Sequence, residues 1–307
     1  MTAPRDSLLF LLLNELFDYA GMFPPASLSF ETALSESVRL HQTLRRPWLV
    51  GSELVLDTDT ARILAQRSPS DCGFSRTPRI SLLATEEPAH VLAVASLLCN
   101  QDYLSGSYSV SSIEIRVAAN RIAAVIATYR EFAELHGCIL AIEPDLSIPS
   151  WREELAECVQ TIEQQRMIYS SIALKVRCSG PTGLAAHKLA TVIAATCDQP
   201  LHLKVTAGLH HPIVEHSTYG NTFGFLNLAV AVMLRRTLGA ILPISTLERL
   251  ITNDSAQQLQ LTDAIGFESF TISRDQLIAA KDAARLSIGS CSLTEPDADL
   301  TRLWPVL

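Results

Sequence analysis

Between residues 48 and 206 the chain alternates two hydrophobic rhythms. Short runs rich in Val, Ile and Leu fall at 48–56, 78–85, 112–118, 138–143, 172–177 and 201–206, each the length of a buried strand. Between them, at 58–67, 87–100, 120–136, 150–167 and 183–196, the pattern is helical, with apolar residues recurring every three or four positions. Ahead of this series, residues 7–19 read as a helix stopped by Gly21-Met22-Phe23-Pro24-Pro25, which cannot continue one. A second helix runs from about Ser29 to Leu44, with Glu31 and Glu36 in its early turns. Beyond residue 212 the spacing predicts helices at 223–237, 245–252 and 275–287, a late strand within 267–273, and an irregular tail.

Strand–helix alternation of this kind builds a parallel sheet. The pattern predicts a single α/β domain, a (β/α)8 TIM-type barrel modified in its last two units. A helical cap would occupy 1–46, the barrel 47–287 and a C-terminal loop 288–307. A doubly wound sheet is the rival. It usually carries a glycine-rich phosphate loop after its first strand, and this chain has none.

Four charged residues repeat with the barrel unit. Glu114, Glu143, Lys175 and Lys204 each sit inside an apolar run, separated by 29, 32 and 29 residues. Like positions on successive strands face like directions, and alternation adds Arg116, Arg177 and Thr206 to the same face. In a barrel that face is the interior or its C-terminal mouth, where active sites form. Charges buried there must be paired, so the set reads either as a structural ion network or as a site.

The stretch from Leu203 to Pro212 runs from a strand through Ala207-Gly208 to His210-His211. A desolvated lysine beside another cation is a Schiff-base nucleophile. In that reading Lys204 attacks a carbonyl, Lys175 lowers its pKa, His210 or His211 moves protons, and Glu143 and Asp18 orient them. Lys204 as a fixed charge for a carboxylate or phosphate is the plainer alternative. Tyr19, beside Asp18, would serve as a proton donor at the mouth, with Glu114, Arg116, Arg177 and Thr206 lining it. Asn227, opening a helix, and Ser290 and Cys291, in a Gly-Ser-Cys-Ser loop, complete the substrate-binding candidates. Cys291 as a nucleophile would need a base that the sequence does not display. No cofactor is implied. A divalent metal is the alternative, held by His210 or His211, His202 or His216, and Glu143 or Glu114, although no His-Glu-x-x-His spacing is present.

The two lysines on successive strands resemble the layout of class I aldolases of the deoxyribose-phosphate type, which implies lyase chemistry through a lysine Schiff base. Three longer motifs carry a second resemblance: Asp18 to Ala26 (DYAGMFPPA), Lys204 to Pro212 (KVTAGLHHP) and Gly289 to Pro296 (GSCSLTEP). The chain is similar in these to a family of uncharacterised bacterial proteins with DYAG(L/M)FPPA, KxTAGLHHP and GSCSFxEP. That family implies no particular activity. Leu293 stands where its pattern has Phe, and Phe223 where it has the His of His-Gly-Phe-Leu-Asn. If that His acts in the family, this chain lacks the step.

Composition narrows the partners. A net charge of −8 and a pI near 5.5, with no cluster of Lys and Arg, argue against nucleic acid. Hydrophobic content of 48% and a mean hydropathy of +0.22 point to apolar surface buried between copies, hence a homo-oligomer. Leu8 to Leu13 is too short to span a membrane, and no signal-peptide pattern follows it. Seven cysteines without a Cys-x-x-Cys pair suit a reducing, cytoplasmic setting. The resulting expectation is a cytoplasmic barrel enzyme for a small, anionic carbonyl compound. A metal-dependent hydrolase or lyase, and a non-catalytic binding or assembly subunit, stand as alternatives.

Overall fold

Eight stretches of the chain lie side by side in parallel in the computed structural model, which describes residues 7–99, 107–180, 182–217 and 220–304. They are β1 (Phe17–Tyr19), β2 (Val50–Ser52 continued by Leu54–Asp57), β3 (Arg79–Leu83), β4 (Ser109–Arg116), β5 (Ile139–Glu143), β6 (Ile172–Arg177), β7 (His202–Thr206) and β8 (Leu286–Ser290). Each pairs with the next, and β8 pairs with both β7 and β1. The ring closes through β2, whose first half pairs with β1 and whose second half pairs with β3. Glu53 stands at the break and donates its amide to the Arg79 carbonyl at 2.8 Å. Its carboxylate accepts from the Arg79 amide at 2.6 Å and meets Arg76 at 2.5 Å. Burial would raise this carboxyl, yet His41, the Arg79 amide and Arg76 hold it below the ordinary range. The fold is the (β/α)8 barrel that the alternating rhythm predicts.

The differences cluster at the two ends of the chain. The first helix covers only Leu8–Leu13, and the rest of the predicted 7–19 helix holds β1. Glu15 adopts a positive φ of 56°, which ends the helix and reverses the chain into the strand. All three residues of β1 are buried, so no alternation betrays it. At the other end, the helix predicted over 275–287 stops at Ala283, and β8 follows within the segment read as helix end and tail. Its small residues Ser287, Gly289 and Ser290 resemble a loop in composition. The tail also contains a helix, Thr294–Leu303. The late strand exists as Phe270–Ile272, but it lies in a separate antiparallel sheet with Ile265–Phe267 and Leu259–Gln260. No described helix is long and apolar enough to cross a membrane.

Helix Phe225–Leu238 is buried at every residue from Phe225 to Arg235. Such all-round burial requires cover on both sides, and helices Ala186–Cys197, Ile244–Ile251 and Arg274–Ala283 supply it together with the small sheet. Asn227 locks this layer in place. Its amide donates to the Leu250 carbonyl at 2.7 Å and to the Asn253 carbonyl at 2.8 Å. Asn227, expected among the substrate contacts, holds this layer through its amide and is not among the residues lining the mouth cavity. Asn227→Ala should cost about 1–3 kcal/mol, because two buried carbonyls lose their donors. Chemical denaturation measures this, and a change below about 0.5 kcal/mol would contradict it.

Candidate functional site

The barrel interior is unusually ionic. Asp18, Glu114, Glu143, Lys175 and Lys204 are all buried. They form one unbroken chain: Asp18 to Lys204 at 2.6 Å, Lys204 to Glu114 at 2.8 Å, Glu114 to Lys175 at 2.9 Å, and Lys175 to Glu143 at 2.5 Å. Ser81 donates to Glu114 at 2.5 Å, and Lys204 donates to Ser81 at 3.1 Å and Ser112 at 3.4 Å. Neither serine was legible as part of the network, since single serines in apolar runs carry no pattern. The strand register also departs from equal depth, because Glu114 faces Ala141 while Arg116 faces Glu143.

The two lysines expected to act together are not in direct contact. Lys175 and Lys204 are register partners, but Glu114 bridges their ammonium groups. Burial would push the Lys204 ammonium down. The carboxylates of Asp18 and Glu114 more than offset it and hold the group above the ordinary lysine range. Glu114 shows the converse: burial would raise it, yet Lys204 and Lys175 hold it well below the usual carboxylate range. Lys204 is thus held between two carboxylates, an arrangement that favours its charged form.

Two cavities reach different members of this chain of charges. One, of about 530 Å³, opens at the N-terminal end of the barrel and reaches Lys204 and Asp18. The other, of about 160 Å³, lies at the C-terminal mouth and is lined by Glu114, Lys175, Arg177, Thr206, His210 and Cys291 among others. Active sites of barrel enzymes form at the latter end. Lys175 therefore faces the mouth, and Lys204 does not.

The turn after β7 aims the histidines. Ala207 and Gly208 take positive φ values of 67° and 75°, and a Cβ at Gly208 would meet the Ser179 side chain at 2.8 Å. His210 then points its Nδ1 at Glu295 at 3.1 Å, and its Nε2 lies 3.7 Å from the Cys291 Sγ. His211 points elsewhere, with Nδ1 at 2.7 Å from Asp299 and Nε2 at 3.3 Å from Glu215. Glu295 and Asp299 lie one turn apart on helix Thr294–Leu303, so one helix orients both imidazoles. Both acids fall in the segment read as an irregular tail. Their i, i+4 spacing after the Gly-Ser-Cys-Ser loop was the available signal.

The remaining candidates divide. Thr206 is half-buried, lines the mouth, and donates to the Val176 carbonyl at 3.4 Å. Arg177 lines the mouth as well. Arg116 is exposed at the rim, 3.7 Å from Asp145, outside the mouth cavity. Tyr19 alternates away from Asp18, and its phenol, pushed up by burial and by Glu36, packs where a Cβ at Gly21 would come within 2.2 Å. The Ser290 hydroxyl donates to the Ser292 carbonyl at 2.7 Å and holds the loop. Tyr19 and Ser290, expected among the substrate contacts, thus make packing and loop-holding contacts and are not among the residues lining the mouth cavity.

Among the described residues, the expected metal set does not assemble. His202 is at the opposite end of β7, where its Nδ1 accepts from the Arg285 amide at 2.7 Å. The side chain of His216 lies outside the described residues. A different trio, His211, Glu215 and Asp299, brings one ligand atom each within 4.8 Å of one another. Arg302 already neutralises Asp299 at 3.0 Å. Comparison with protein-family models and with curated proteins finds no match for the chain.

Proposed function

We propose that the protein is an enzyme whose substrate is a small, anionic carbonyl compound bound in the C-terminal mouth of the barrel. The observation that carries this reading is the mouth cavity itself: two cationic side chains, Lys175 and Arg177, and an imidazole, His210, line one space of about 160 Å³. That volume is small beside the usual ligand site of about 300–1,000 Å³, which suits a compact substrate. Arg177 is the group for the anion, because its planar fork matches a carboxylate. Lys175, clamped between Glu114 and Glu143, presents a fixed positive charge to a carbonyl oxygen.

A Schiff base at Lys175 is the second reading, favoured by its place on the cavity wall and by Glu143 at 2.5 Å as a proton acceptor. The test is a thermal-shift titration with glyoxylate, pyruvate and related 2-keto acids, followed by borohydride reduction and peptide mapping. Wild-type protein should be stabilised by at least one of them, and Arg177→Met should weaken that response about tenfold or more, the loss of one charge-assisted contact. A reduced adduct on Lys175 would establish the Schiff-base form. No stabilisation by any anionic carbonyl compound, or a response indifferent to Arg177→Met, would overturn the proposal.

A further inference from the structure

Cys291 follows β8 directly and lines the mouth cavity, which places its sulfur on the wall shared with Lys175 and Arg177. The other cysteines differ from it. Cys138, Cys158, Cys178 and Cys197 are buried in packing and line neither cavity, Cys99 is half-buried and lines neither, and Cys72 meets the Tyr108 hydroxyl at 3.4 Å. Among the described residues, Cys291 is the thiol that joins a cavity to an imidazole. The nearer ring nitrogen of His210 is Nε2, at 3.7 Å, and Nδ1 is engaged by the Glu295 carboxylate at 3.1 Å. A carboxylate at Nδ1 fixes the proton there and leaves the Nε2 lone pair free to accept one. Nucleophile, base and orienting acid therefore come from three elements, the end of β8, the turn after β7 and the C-terminal helix. Their order of contact is the one covalent catalysis requires. Burial pushes the Cys291 thiol up, so the resting group is a thiol and needs a base within reach.

We propose that Cys291 is the nucleophile of this protein, with His210 as its base and Glu295 as the positioning residue, and that the substrate is an acyl compound transferred through a thioester. This rests on the mouth cavity as the substrate site and narrows the carbonyl compound to an ester, thioester or amide bearing an anionic group. The Cys291 proton passes to His210 Nε2 as the sulfur bonds the carbonyl carbon and the carbonyl π pair moves onto oxygen. Lys175 and Arg177 are the cations on the same wall available to that oxyanion. The oxyanion collapses, the bond to the leaving group breaks, and the leaving alcohol, thiol or amine takes the proton from His210. Water then attacks the thioester with His210 again as base. The acid is released, and the proton returns to the sulfur.

The experiment uses p-nitrophenyl acetate as probe, with nitrophenolate release followed in time and the protein's mass and peptides read after quenching. Wild-type protein should gain one acetyl group, mapped to Cys291, and Cys291→Ser should lose it. His210→Gln should slow acetylation about 100-fold or more. It should also move the pH dependence of acetylation from the imidazole range towards the free-thiol range, a change that a packing defect would not produce. Glu295→Gln should shift the same profile with a smaller loss of rate. Melting curves of each variant confirm folding. Acetylation spread over other residues, or His210→Gln acetylated as fast and with the same pH profile as wild type, would overturn the proposal. The keto-acid thermal shift on wild-type protein reports the cavity separately. Stabilisation without acetylation sinks the thiol mechanism alone, and acetylation at Cys291 without stabilisation sinks the anionic-carbonyl reading alone.

Discussion

Lys204→Met is expected to destabilise the protein by about 3–5 kcal/mol, the usual cost of removing one member of a buried ion pair. Asp18 and Glu114 would be left facing each other across the vacated ammonium, from which they now stand 2.6 and 2.8 Å away. Ser81 and Ser112 donate too little to compensate two desolvated carboxylates. One of the acids must then take up a proton on folding, so the loss should grow as pH rises above the ordinary carboxylate range. Lys204→Met combined with Asp18→Asn should recover part of it, since the second change removes one of the stranded charges. Urea unfolding of the three proteins at neutral pH measures both effects. A single variant within about 1 kcal/mol of wild type would show that the barrel interior tolerates the unpaired acids.

The periodicity of about 30 residues was legible because it is set by the length of a strand plus its covering helix, and every barrel strand from β2 to β7 obeys it closely enough to be found. The interior charges were legible for the same reason: Lys175 and Lys204 are register partners, as are Arg177 and Thr206. What spacing cannot show is which of two charges lies between the others. Glu114 was grouped with the lysines, but its position between their ammonium groups is a matter of side-chain reach across the barrel, not of spacing. Asp18 lies 186 residues from the lysine it pairs with, on a strand of three buried residues that has no rhythm to read.

The mouth was half-legible. The turn through Ala207-Gly208 and the pair His210-His211 stood out, as did the Gly-Ser-Cys-Ser loop. The link between them did not, because Glu295 reaches His210 across 85 residues of chain and sits on a helix that follows the loop. β8 was missed for a related reason. A barrel strand whose neighbours are already present needs little β-propensity of its own, and Ser287 and Gly289 suit the crowded interior beside Lys204 and Thr206. Local preference lost there to closure of the ring.

Acid should weaken the fold through His202 in a defined window. Its Nδ1 must keep a lone pair to accept from the Arg285 amide at 2.7 Å. Burial first, then the nearby Arg236, Arg285 and Arg166, push its pKa down to about 4. The unfolded chain binds this proton near pH 6.5. Between those values the unfolded state holds more protons than the folded one, so stability rises with pH. The contribution is complete above pH 6.5 and is lost as pH falls towards 4. A displacement of that size corresponds to about 3 kcal/mol, of which about 2 kcal/mol should disappear between pH 7.5 and pH 5. Carboxylates titrate mainly below that interval, and comparison with a His202 variant isolates this imidazole from the other seven histidines. His202→Gln keeps an acceptor for the Arg285 amide but cannot be protonated, so its unfolding free energy should be nearly flat from pH 7.5 to pH 5. Equal slopes in wild type and variant would assign the acid sensitivity to other groups.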